Sequence, residues 1–111
     1  MSYSIKTVAS FDKDVKTLSK KYKSFKADLL KLREILSVNP KSGTPLGDSC
    51  YKIRISIASK NKGKSGGARV ITHVVAVDET NGTIYLLAIY DKSELENISD
   101  VEIKARLAQI L

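Results

Sequence analysis

YKIRISIASKNKGKSGGARVITHVVAVDETNGTIYLLAIY, residues 51–90, decides the fold. In YKIRISI (51–57) the residues Tyr51, Ile53, Ile55 and Ile57 alternate with Lys52, Arg54 and Ser56. Period-2 alternation predicts a strand with one apolar and one wet face. RVITHVVAV (69–77) and TIYLLAIY (83–90) are nearly continuous β-branched and aliphatic runs, as expected of strands in the middle of a sheet. DETNG joins them, and the Asn81-Gly82 pair predicts a tight turn with positive φ angles. The stretch therefore reads as a three-strand antiparallel meander.

Outward from the meander, SYSIKTVA near the N-terminus alternates as a short strand. Phe11, Val15, Leu18 and Tyr22 then recur at helical spacing, and Phe25, Leu29, Leu32 and Leu36 repeat it. Ser24 is the expected cap of the second helix, and Asn39-Pro40 its end. Residues 41–49, KSGTPLGDS, have the composition of a connecting loop. Ser99 and Glu102 stand in capping-box spacing before Ile103, Leu107, Ile110 and Leu111, one face of a last helix. The order is βααβββα. It predicts an α+β fold over residues 1–111, a single domain, with an N-terminal strand and helical hairpin packed on a mainly antiparallel four-stranded sheet and a C-terminal helix.

The 111 residues carry a net charge of +7, and that charge is uneven. Residues 49–77 hold Lys52, Arg54, Lys60, Lys62, Lys64 and Arg69 with no acid, whereas residues 78–111 hold three basic and seven acidic residues. Unopposed cations repel one another, and a phosphate-rich partner is the natural way to neutralise them; a solvated basic surface is the plainer alternative. No apolar run approaches membrane-span length, and the N-terminus lacks a signal-peptide pattern, so a cytoplasmic location is expected and no membrane partner.

Several chemistries are disfavoured. Gly63-Lys64-Ser65 ends like a phosphate-binding P-loop, but Ala58 stands where that pattern needs glycine, and a strand follows where it needs a helix. The single cysteine, Cys50, has no ligand-spaced partner for zinc, and His73 reads as a core histidine in a strand, remote from Cys50 in sequence. No metal site and no cofactor are expected. What remains is a cationic sheet face. Lys52 and Arg54 share one side of a strand, Lys60, Lys62 and Lys64 follow in a loop, Arg69 opens the next strand, and Tyr90, Asp91 and Lys92 close the one after it. Such a face can grip RNA backbone without chemistry. It can also cleave RNA: the ribose 2′-OH attacks its own 3′-phosphate, so the protein need only align groups, neutralise charge and handle two protons.

At these residues the sequence resembles the RelE/HigB group of toxins of bacterial toxin-antitoxin modules, within the RelE/ParE superfamily. YKIRISIASKNKGKSGGARVI is similar to that group's basic strand, variable loop and GG-x-R-[VI]-I block, and TIYLLAIYDKSELENIS to its last strand and the polar motif after it. The resemblance implies a metal-independent endoribonuclease that cuts mRNA, in most members in the ribosomal A site, and is held inactive by a cognate antitoxin. It assigns catalysis to Lys52, Arg54, Arg69, Tyr90 and Lys92, and RNA-backbone binding to Lys60, Lys62 and Lys64. The group's frequent C-terminal tyrosine is missing from the ending LAQIL, which leaves the general base unassigned. Two other readings stay open: a ParE-like inhibitor of DNA gyrase without nuclease activity, and a non-catalytic RNA-binding protein.

Overall fold

A computed structural model describes residues 2–60, 63 and 66–110. The elements are β1 (Ser2–Thr7), α1 (Ala9–Lys21), α2 (Phe25–Val38), β2 (Thr44–Gly47), β3 (Cys50–Ile55), a 3-10 turn (Ala58–Lys60), β4 (Ala68–Ala76), β5 (Asn81–Asp91) and α3 (Asp100–Leu107). They form one sheet in the order β1-β5-β4-β3-β2. β1 runs parallel to β5, and the other pairings are antiparallel. The mixed α+β fold agrees with the sequence, but the sheet has five strands rather than four. The fifth is β2, inside the segment expected to be a loop. Pro45 pairs with Tyr51 there on the outermost strand, where a missing N–H costs no ladder bond.

Residues in register share a face of the sheet, which sorts the side chains into two layers. One face is apolar. Ile53, Val70 and Ile89 lie in register across β3, β4 and β5 and are all buried. α1 and α2 cover this face, and Ile5, Phe11, Val15, Leu29, Leu32 and Leu86 border a shared groove. Phe25, Leu32 and Leu36, at most 1% exposed, anchor α2. Each such side chain stabilises the fold by roughly 1.5–3 kcal/mol through burial.

Two local devices differ from the sequence expectation. Ser24 precedes α2 but caps none of that helix's amides; its hydroxyl donates to Asp28 Oδ2 at 2.7 Å. The β4–β5 turn is built on Asp78, whose Oδ1 accepts the amides of Thr80 and Asn81 at 2.8 and 2.9 Å. Asn81 and Gly82 already belong to β5, and neither has positive φ. Gly82 is needed for space: a Cβ there would stand 2.5 Å from the Val75 carbonyl and 2.6 Å from the Tyr3 ring. The Ser99 cap behaves as expected, its hydroxyl accepting the Glu102 amide at 3.1 Å.

β1 ends at Thr7, opposite Leu86, and leaves the rest of β5 without a neighbour on that edge. Side chains take over. Asp14 of α1 accepts the Ile89 amide at 3.2 Å, and Arg106 of α3 donates to the Leu87 carbonyl at 2.9 Å and to Asp14 at 2.6 Å. These bonds satisfy backbone groups that burial would otherwise penalise, and they tie α3 to the sheet. They also help to determine what lies over the second face.

Candidate active site

That second face carries the cationic residues. Arg54, Arg69 and Tyr90 are register partners on β3, β4 and β5, forming one row across three strands. Lys52 lies two residues before Arg54, on the same face, opposite Ile71. Lys92 follows β5 by one residue, and its amide donates to the Gly67 carbonyl at 3.1 Å, which joins the strand end to the start of β4. On its other side Gly67 lets β3 come close: a Cβ would stand 2.0 Å from the Ile55 carbonyl. The strands so bring together Lys52, Arg54, Arg69 and Tyr90, four of the five residues expected to be catalytic, with Lys92 beside the row's end.

Their environments differ. Arg54 is exposed, while Arg69 and Tyr90 are only 7% and 9% exposed. Arg69 donates from Nη1 to the Ala68 carbonyl at 3.2 Å. Lys52 reaches across to Asn97, donating to its Oδ1 at 3.0 Å. α3 lies against this face, with Ile103 and Lys104 bordering a pocket shared with Cys50 and Leu46. Tyr90 packs beneath the segment before α3, and its hydroxyl is buried without a hydrogen-bond partner of good geometry among the described residues. Burial raises the Tyr90 phenol above its ordinary value, against smaller opposing effects of the Ile98 backbone and Arg69. The phenol is therefore neutral at physiological pH, a proton donor rather than a phenolate base.

Lys60 stands elsewhere than the sequence suggests. Asp91, next to Tyr90 on β5, projects to the opposite side, where its side chain is fully buried and Lys60 Nζ lies 2.7 Å from its Oδ1. The same oxygen accepts the Ser93 amide at 3.0 Å and hydroxyl at 2.7 Å, and the Tyr22 hydroxyl donates to the other oxygen. Burial pushes the Asp91 carboxyl up, but Lys60, Tyr22 and Ser93 outweigh it and hold the group well below the usual carboxylate range. Lys60 is thus the partner of a buried anion, not an open cation. Lys62 and Lys64 lie outside the described residues.

Sequence separation also concealed one pair. Cys50 and His73 are register partners on β3 and β4, with Sγ 3.7 Å from Nδ1. Burial, then nearby Asp48, raises the Cys50 thiol, so this is a protonated sulfur rather than a nucleophile. Among the described residues, no group of three or more His, Cys, Asp or Glu side chains could hold a metal ion. No described helix is long and apolar enough to cross a membrane.

A helical hairpin thus covers one face of the sheet and a C-terminal helix lies against the other, which carries the basic row. The fold is similar to that of a mutant of the E. coli toxin RelE in its free state, whose solved structure matches over 100% of both chains with a TM-score of 0.53 and 19% sequence identity. No protein-family model matches the sequence.

Proposed function

We propose that this chain is the toxin of a toxin-antitoxin module and acts as an endoribonuclease on mRNA, most effectively on a translating ribosome. The observation that carries the reading is the Arg54–Arg69–Tyr90 row. Two guanidiniums and a neutral phenol stand side by side on a rigid sheet, with Lys52 on the same face. Like charges in register destabilise a sheet, so a row of them fits a surface built for an anionic ligand.

The chemistry follows from the groups present. Arg69 and Arg54 hold the scissile phosphate and neutralise the charge that develops as the 2′-OH, losing its proton to solvent water, attacks phosphorus. The P–O5′ bond breaks, leaving a 2′,3′-cyclic phosphate and a 5′-OH. Tyr90, kept neutral by burial, gives its proton to the departing 5′-oxygen. Lys52 and Lys92 line the RNA path. Because Tyr90 is covered and the Ile98 backbone lies beside its phenol, RNA must displace that segment to reach it. The partners of this reading are a cognate antitoxin that blocks the face, and mRNA in the ribosomal A site.

Tightly controlled expression with mapping of RNA 5′ ends tests the reading. Growth arrest and new codon-phased cuts that vanish in an Arg69→Ala, Lys92→Ala double variant are expected. DNA breaks with intact messages would point to gyrase inhibition instead, and the absence of any growth effect to a non-catalytic RNA-binding protein.

A further inference from the structure

We propose that Asp91 and Lys60 are positioning residues for the ribonuclease row, resting on the reading above, and that Lys60 is not among the RNA-contacting cations. The alternation of β5 puts Tyr90 on the site face and Asp91 on the other, so a bond to Asp91 fixes the backbone from which Tyr90 and Lys92 project. The carboxylate accepts from Lys60, Tyr22 and both donors of Ser93, with its side chain wholly inaccessible to water. Such a count of charge-assisted bonds on one buried anion holds a strand end more firmly than the ladder alone.

The other end of the connection is fixed as well. The 3-10 turn that carries Lys60 is bound to α2 through Asp28, which accepts the Ala58 amide at 3.2 and 3.3 Å from its two oxygens. Ser59 donates its amide to the Ser24 hydroxyl at 2.9 Å. Lys60 therefore approaches Asp91 from a base with little freedom, and the Lys60 side chain, 10% exposed, has no open path to a phosphate. The cluster links α1, α2, the turn and β5 beneath the site while touching none of the reacting groups.

The test compares Lys60→Met, Lys60→Arg and the unaltered chain for RNA cleavage and for the salt dependence of RNA binding. A positioning role predicts that Lys60→Met lowers kcat about 10–100-fold, the scale of a misplaced catalytic group. The slope of log affinity against log salt stays unchanged, and Lys60→Arg restores much of the rate. A slope that falls by about 0.7, the share of one phosphate contact to a single strand, would overturn the proposal, as would a folded Lys60→Met chain with unaltered kcat. If Lys60→Met does not fold, Tyr22→Phe removes one donor and leaves the ion pair; a smaller fall in kcat at constant salt slope is expected, and no fall overturns the claim. An unaltered chain that cleaves no RNA refutes the ribonuclease reading instead. In that case hydrogen exchange at the Lys92 amide decides the positioning claim: it must accelerate in Lys60→Met, and unchanged exchange rejects it.

Discussion

Arg54 and Arg69 stand directly opposite one another on antiparallel strands β3 and β4. Opposed like charges destabilise a sheet relative to neutral pairs, and only weakly here because Arg54 is exposed to water. Replacing Arg54 by Gln should therefore leave stability unchanged or slightly raised, while RNA cleavage falls at least tenfold. Thermal unfolding and an RNA cleavage assay on the same variant check both halves; a loss of stability with retained cleavage would assign Arg54 a purely structural role.

The Asp91–Lys60 pair predicts a specific dependence on acid. The folded Asp91 carboxyl titrates below its unfolded value of about 3.9, so its contribution to stability is complete above that pH and is lost as pH falls toward the folded value. Breaking one side of such a buried pair costs about 3–5 kcal/mol. Lys60→Met should lose about that much at pH 7 in urea unfolding, and the gap between Asp91→Asn and the unaltered chain should narrow below pH 4. An equal gap at pH 7 and pH 2.5 contradicts the assignment.

Tyr90 predicts a spectroscopic signature. Burial favours the neutral phenol, so folded Tyr90 should ionise later than exposed tyrosines as pH rises above about 10. Its stabilising effect is present below that pH and is lost as alkali deprotonates the unfolded chain first. Tyrosinate absorbance should show a late-titrating component, absent in Tyr90→Phe. Its persistence in that variant would place the late phenol elsewhere.

Much of this architecture is legible in residues 51–90, because alternation and length are local properties. The basic face follows directly from the period of two in Lys52 and Arg54, and Arg69 joins it through the antiparallel return. What sequence conceals is register and depth. Cys50 and His73 are 23 residues apart yet in contact, and only pairing reveals it. β2 escapes because its Gly and Pro resemble a turn, although an edge strand tolerates both. Lys60 looks like one of three loop cations; alternation along β5 already turns Asp91 away from Tyr90, but only the fold shows that Lys60 serves it.

Arg106 predicts how firmly the site is covered. It supplies bonds to Asp14 and to the Leu87 carbonyl that hold α3 to β5. Arg106→Ala should cost about 1–3 kcal/mol, the penalty for leaving buried groups unsatisfied. It should also speed hydrogen exchange at Ile89, whose amide shares Asp14. Unaltered exchange there would mean that α3 is held by packing alone.

The most direct measurement of the central claim is the chemistry of the cut ends. On ribosomes programmed with a labelled message, the protein should generate 5′-OH and 2′,3′-cyclic phosphate termini, and Arg69→Ala should abolish them while the protein stays folded. Termini bearing 5′-phosphate, or cleavage undiminished in folded Arg69→Ala, would contradict the account.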